Sequence, residues 1–247
     1  MSGSSRRLVS CIMATRDRCE FIPEALRCFS RQTYQESELI VVDDGRKSVG
    51  DLCHGIPRVR HIQLYKSANT GTKLNIGIER ARGNILQKMD DDDYYHPDFL
   101  KLAVARLPSQ PSVRTLVAWD CFLVLLAGEM QLRHSGHGWE AGGTFCFHRK
   151  LWERKPFRDI AKNEDYWFVN DHRPCIRRVC AADYYMLVRH GRNTWQLMSG
   201  ERVDSQFRSL PLYWKQLEAV VPPEDLTFYR SLQYRASLER RTSPSGD

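Results

Sequence analysis

The sequence predicts an α/β protein: an open, mostly parallel sheet flanked by helices, with a smaller second subregion. Three observations carry this. Four short apolar runs, at 8–14, 38–42, 59–64 and 85–89, have the composition of buried strands. Stretches with apolar residues at helical spacing lie between and after them. The resulting order (strand, helix, strand, strand, helix, strand, helix) is that of a parallel sheet, whose strands need long crossovers. Finally, Thr15-Arg16-Asp17, Asp43-Asp44 and Asp90 to Asp93 each directly follow a strand. The carboxyl ends of an open parallel sheet share one edge, where ligands bind.

Taken in order, the chain opens with a Ser/Gly-rich stretch, 1–7, expected to be disordered. The first strand ends in the loop Thr15-Arg-Asp-Arg18. Pro23-Glu24 starts a helix with Leu26 and Phe29 facing the core. The second strand stops at Asp43-Asp44-Gly45. Lys73 to Arg82 reads as a helix with Gly83 as its stop, and Pro97 begins another carrying Leu100, Ala103, Val104 and Leu107 on one face. Thr115 to Leu126 and Glu129 to Arg133 read as a hairpin around Ala127-Gly128. A Gly/His-rich loop, 134–143, precedes a short strand at Thr144 to Phe147. A helix starts near Asp165, a strand runs from Cys180 to Val188, and helices follow near Leu212 to Val220 and Asp225 to Glu239. The expected organisation is one domain over 8–200, with halves 8–97 and 98–200, then a helical extension over 201–241 and a tail, 242–247.

The 247 residues suffice for such a domain without staples. Eight cysteines are spread along the chain without a CxxC pair, so all are expected to be buried thiols in a reducing compartment. The apolar run before Arg16 is too short for a secretory signal, and Leu116 to Ala127 is too short to span a bilayer and contains Asp120. The expected location is cytoplasmic. The net charge of +7, with Arg177, Arg178, Arg189 and Arg192 in the second half, suits either a solvated surface or attraction to an anionic ligand or an anionic membrane face. No nucleic-acid module is recognisable, and no nucleic-acid partner is expected.

Asp90 to Asp93 is the strongest chemical signal. Four adjacent carboxylates repel one another and call for a counter-charge, which a hard divalent cation, Mg²⁺ or Mn²⁺, can provide. A solvated acidic turn before a helix is the structural alternative. The ordered set of motifs decides the reading. Val9-Ser-Cys-Ile-Met-Ala-Thr-Arg-Asp-Arg18, Ser30-Arg-Gln-Thr-Tyr34, Glu38-Leu-Ile-Val-Val-Asp-Asp-Gly45, Asn69-Thr-Gly71, Asn75-Ile-Gly77, Ala81-Arg-Gly83, Met89-Asp-Asp-Asp-Asp-Tyr-Tyr-His-Pro97 and Asn163-Glu-Asp165 follow one another in the chain. Together, over roughly Leu8 to Trp195, they resemble the GT-A fold glycosyltransferases, specifically inverting family two, whose central sheet is Rossmann-like.

The resemblance implies a metal-dependent transfer of a sugar from a nucleotide-diphosphate donor, most commonly a UDP-sugar, to a carbohydrate or lipid-linked acceptor in surface polysaccharide or glycan synthesis. By position, Asp44 resembles the carboxylate that meets the donor base, with Thr15, Arg16 and Asp17 beside it. Asp90 or Asp91 would hold the ribose. Asp92, with Asp90 as the other end of the DXD motif, would bind Mn²⁺ or Mg²⁺. Asp165, or else Glu164, matches the catalytic base. Lys73 stands where a basic diphosphate contact is expected, and His190 is a candidate further metal ligand. The loop bearing Trp139, Gly142 and Gly143 corresponds to the sugar and acceptor pocket, where Trp139 either stacks on a sugar or belongs to the core. Two rival readings use similar features: a nucleotidyltransferase, although Thr15-Arg-Asp-Arg18 lacks the glycines of its phosphate loop, and a non-catalytic sugar binder.

Overall fold

A computed structural model describes residues 8–110, 114–193 and 205–242, with side chains described as far as 233. The expected disorder of 1–7, the tail at 243–247, Thr194-Trp195 and the boundary near 200 fall outside these residues.

The main sheet has seven strands in the order β10-β6-β9-β4-β1-β2-β3. Its centre is β1 (Val9–Thr15), parallel to β2 (Ser37–Asp43) on one side and to β4 (Ile85–Lys88) on the other; β3 (Val59–Gln63) continues the parallel order beyond β2. β9 (Cys146–His148) is antiparallel to both β4 and β6 (Leu116–Cys121), and β10 (Ile176–Cys180) closes the edge parallel to β6. Helices cover both faces, so β1 and β2 are buried on both sides and read as near-continuous apolar runs. α1 (Ile22–Ser30) has a Pro in its first turn and buries Ile22, Ala25, Leu26 and Phe29 on one stripe. α3 (Thr70–Arg80), which follows the short α2 (Gly50–Cys53), packs so closely that a Cβ on Gly77 would lie 2.5 Å from Ile12 Cγ2.

The expected smaller subregion is a second, four-stranded sheet in the order β5-β11-β7-β8. It comprises β5 (Tyr94–Tyr95), β7 (Leu123–Leu126), β8 (Gln131–His134) and β11 (Tyr185–Arg189). Further helices among the described residues include α4 (Phe99–Arg106), α5 (Arg149–Arg154), α6 (Glu164–His172) and α7 (Pro223–Thr242). α7 docks on α1: Asp225 is fully buried and paired with Arg31, and Tyr229 meets Tyr94 edge-on at 6.0 Å between ring centroids.

Several expectations need correction. The apolar run 115–126 is two strands, since the chain leaves the main sheet after Cys121 and joins the second sheet at Leu123. The strand expected at Cys180 to Val188 likewise divides, with a 3-10 turn at Ala182–Tyr184 between β10 and β11. Each run does carry an aspartate at the junction, Asp120 or Asp183, but a single polar residue within an otherwise apolar run does not show that the chain changes sheet there. The helix expected over Leu212 to Val220 is reduced to a 3-10 turn at Leu217–Ala219. The chain before it bonds to β8, through His134 N to Pro211 O (3.0 Å) and Tyr213 N to Leu132 O (2.8 Å), and tertiary pairing overrides local propensity.

The cysteine reading also changes. Cys121 and Cys180 form a disulfide across β6 and β10, with their Cα atoms 4.8 Å apart; Cys11, Cys28, Cys53 and Cys146 are buried thiols, while Cys19 and Cys175 are half-buried. At a sequence separation of 59, Cys121 and Cys180 become neighbours only through the pairing of their strands. No helix among the described residues is long and apolar enough to cross a membrane.

Candidate active site

The loops after β1, β2 and β4 converge at the carboxyl edge, as expected. Asp44 lies just past β2, its side chain buried. It accepts hydrogen bonds from Lys73 Nζ (2.7 Å), Arg16 and the Ala68 amide (2.8 Å). Burial pushes the carboxyl up, but the Ala68 amide, Lys73 and Arg16 together hold it below the usual carboxylate range. Lys73 is 5% exposed and also donates to Thr15 O at 2.9 Å. Its ammonium is therefore paired with Asp44 and the β1 loop in this structure. Asp17 is turned to local work: its Oδ1 accepts the Arg46 amide at 2.7 Å and pins the loop after Gly45. Asp43 does the same on its own strand end, accepting the Gly45 and Val49 amides.

The four aspartates after β4 divide into separate environments. Asp91 is buried and bound by Thr15 Oγ1 (2.6 Å) and Arg18 (2.6 Å); burial nonetheless leaves its carboxyl raised. Asp92 Oδ2 accepts from Arg18 (2.9 Å) and Asn193 Nδ2 (3.2 Å) and meets His190 Nε2 at 2.9 Å. Burial opposes its charge, but Arg18 and then His190 more than reverse that, and Asp92 stays ionised. Asp93 turns inward to Tyr185 Oη and the Val188 amide, so it braces β11. Asp90 is a third exposed, its Oδ1 2.7 Å from Lys88 Nζ, and its amide donates to Tyr95 Oη, which in turn donates to Gly143 O.

As sources of metal ligands these residues split as well. Asp92 and His190 converge; the carboxylate is the donor type that suits Mn²⁺ or Mg²⁺, while the imidazole is a softer donor and a poor one for Mg²⁺. Asp90 is not gathered with them into a three-donor cluster. Among the described residues the cluster of that kind is Cys121, His137 and Cys180, two of which are in the disulfide.

On the other side of Lys88, α6 begins at Glu164 after Asn163 in the left-handed conformation (φ 63°). Asn163 makes no side-chain cap; its backbone turn aims the first helical residues at the sheet edge. Asp165 Oδ2 is 3.2 Å from Lys88 Nζ, while Oδ1 is buried without a hydrogen-bond partner. Burial, opposed by Lys88 and helped by Glu164 and Asp90, pushes the Asp165 carboxyl up to about 7. Glu164 is half-buried at the helix start. Gly142 lies against the carboxylate: a Cβ there would be 1.9 Å from Asp165 Oδ2, and one on Gly143 would be 2.9 Å from Asp90 Oδ2. Both glycines therefore belong to the site. Trp139 is half-buried, packing on Phe207 (5.7 Å between centroids) and against the main core.

Sequence reasoning missed Arg18, Lys88, Tyr95 and Asn193. Arg18 lies in the first motif and was legible as part of it. Lys88 sits inside a strand run, where only three-dimensional packing reveals its partners.

Comparison with known proteins agrees with this geometry. The model of the family described as Glycosyl transferase family 2 matches residues 10–172. An uncharacterized glycosyltransferase of Rickettsia conorii is 30% identical over 116 residues, covering 44% of this chain and 19% of the relative. The amylovoran biosynthesis glycosyltransferase AmsE of Erwinia amylovora is 26% identical over 103 residues, covering 40% of this chain and 39% of the relative. The chain thus spans well under half the length of these relatives. Among solved structures, S. aureus TarS superposes with a TM-score of 0.58 at 17% identity, covering 77% of this chain and 38% of TarS. The mannosyltransferase PcManGT from Pyrobaculum calidifontis, in complex with GDP-Man and Mn²⁺, gives 0.59 at 16% identity, covering 98% and 77%. At such identities the likeness is one of fold. With the family model matching about two thirds of its length, and with the motif-bearing loops gathered at one sheet edge of a GT-A fold, this chain belongs to glycosyl transferase family 2.

Proposed function

We propose that the chain transfers a sugar from a nucleotide-diphosphate donor to an acceptor hydroxyl with inversion at the anomeric carbon, and that Asp165 is the base. The observation that carries this is the state of Asp165: one oxygen held by Lys88, the other buried and unpartnered, and a carboxyl at about 7. A base must lie within reach of the hydroxyl it deprotonates and work near its own pKa. In the step itself the acceptor O–H bond breaks and its proton passes to Asp165. The oxygen bonds to the anomeric carbon, and the bond from that carbon to the diphosphate breaks with its electron pair leaving on the phosphate. Glu164, beside Asp165, supports it electrostatically and is the fallback base.

On the donor side, Asp44 receives the nucleotide base, with Thr15 and Arg16 around it. Asp17 and Lys73 act through the loops and carboxylate they hold, and Asp91 and Asp90 face the ribose and sugar. Asp92 and His190 are the residues that would hold a divalent cation, Mn²⁺ or Mg²⁺. When bound, the cation supplies counter-charge to the diphosphate leaving group. Gly142 and Gly143 leave room for the sugar and the acceptor. The preferred donor is a UDP-sugar, in line with the UDP-GlcNAc named for a TarS complex; the GDP-Man of the archaeal neighbour makes guanosine the comparison. The acceptor is a carbohydrate or lipid-linked glycan, as the naming of AmsE for amylovoran biosynthesis suggests. The basic surface suits peripheral contact with an anionic membrane on the cytoplasmic side.

The test is calorimetric binding of UDP and GDP with and without Mn²⁺, followed by donor turnover. Metal-dependent UDP binding supports the reading. A folded protein that binds neither nucleotide overturns it.

A further inference from the structure

Lys88 is the last residue of β4 and is 4% exposed, in a run that otherwise reads as core strand. Isolating an ammonium from water is costly unless it is paired. Here it has two carboxylate partners, one local and one distant in the chain: Asp90, two residues on, at 2.7 Å, and Asp165, 77 residues on, at 3.2 Å. Both neighbours hold it charged against the effect of burial.

A purely structural counter-ion would satisfy whatever lies nearby. The arrangement around Lys88 is more selective. It takes one oxygen of Asp165 and leaves Oδ1 without a partner. Gly142, which lacks the Cβ that would collide with Asp165 Oδ2, lets the carboxylate sit flush against the turn beneath it. Asp90, on the other side, is itself fixed: its amide bonds to Tyr95 Oη, and Tyr95 bonds onward to Gly143 O. One buried ammonium thus ties the donor edge of the sheet to the first turn of α6, through partners that are each locked by the same short turn.

We propose that Lys88 is the positioning residue of the transfer reaction: it sets the orientation of Asp165 towards the acceptor and fixes its distance from Asp90 at the donor edge. This rests on Asp165 being the base. Lys88 neither gives nor takes a proton. When Asp165 is protonated during transfer, Lys88 keeps Asp90 as its counter-charge, so the site is never left with an unpaired buried cation.

The test is a double-mutant cycle on the intact chain with Lys88→Met, Asp165→Asn and the pair, alongside Lys88→Arg and Lys88→Gln. Turnover of UDP-GlcNAc and of GDP-Man is followed as nucleoside diphosphate release, with UDP affinity and thermal midpoint measured on each variant. We expect Lys88→Met to lower kcat at least 100-fold, with KM and UDP affinity within threefold of wild type. Lys88→Arg should recover at least tenfold of that loss, and the double variant should be no slower than Asp165→Asn alone. Losses that multiply in the double variant overturn the proposal while leaving the base assignment intact. So does a Lys88→Met or Lys88→Gln variant that stays folded with near-wild-type kcat, or one whose UDP affinity falls in parallel with kcat without recovery in Lys88→Arg. Near-wild-type turnover in Asp165→Asn overturns the base assignment and the Lys88 role with it.

Discussion

Asp44 accepts hydrogen bonds from Lys73, Arg16 and the Ala68 amide, whereas Asp165 accepts one from Lys88 and leaves its other oxygen buried and bare. Asp91 and Asp92 resemble Asp44: each has at least two partners, with Arg18 shared between them. The two sides of the edge therefore treat the same functional group in opposite ways. Asp44 and Asp92 are held ionised by donors the protein supplies in advance, and Asp91 has its geometry fixed by Thr15 and Arg18 although burial leaves its carboxyl raised, so all three are set before a ligand arrives. As the proposed base, Asp165 would have to change its protonation state, and a full set of donors would oppose this. Leaving Asp165 under-solvated destabilises its charged form and raises its proton affinity.

The largest expected effect breaks the comparison at its reactive end. Asp165→Asn should lower turnover by about 10²–10⁴-fold, the usual contribution of a general base, with UDP binding measured by calorimetry unchanged. The mirror experiment on the binding side should affect stability. Lys73→Met leaves the buried Asp44 short of one charge partner, and breaking a buried pair costs about 3–5 kcal/mol, readable by urea denaturation. If Lys73→Met is as stable as wild type, the Asp44 side is not pre-organised in this way. A smaller effect concerns the metal. Asp92→Asn should weaken Mn²⁺-dependent UDP binding by about 10–100-fold, and His190→Ala should follow the same direction; equal UDP affinity with and without Mn²⁺ in the wild type would remove metal from the donor side.

The finest test is pH. Turnover should rise with pH through about 7 as Asp165 ionises. Stability should move the other way. The folded pKa is raised above the unfolded one, so between the two the native state holds a proton that the unfolded chain has lost. The Asp165 contribution therefore falls as pH rises through about 7. Asp165→Asn should then raise the thermal midpoint at pH 8 and leave it unchanged at pH 4. A rise of the same size at both pH values would show that burial of the charge is not what the substitution relieves.

The motif set made much of this site legible, because ligand-binding loops at a parallel sheet's edge carry their polar residues in sequence, directly after each strand. Thr15, Asp44 and Asp90 to Asp92 could be gathered on that logic alone, and Asp165 by resemblance to the family. Family membership also favours sugar transfer over the nucleotidyltransferase and sugar-binder readings. Lys88 could not be found this way. A lone lysine in an apolar strand gives no sign of which carboxylates will lie beside it, and one of its partners enters on a helix 77 residues later.

What the sequence by itself determined is the local layer: which segments are strands and helices in the first half, where each strand ends, and which residues stand at those ends. Hydrophobic period and turn chemistry act over a few residues and leave their mark there. Only the tertiary structure decided that one apolar run serves two sheets, that Cys121 and Cys180 are bonded, that Lys73 belongs to Asp44, and that Lys88 bridges Asp90 and Asp165. Each of these depends on which strands and helices become neighbours, and that pairing is fixed by burial of the whole chain rather than by any segment of it.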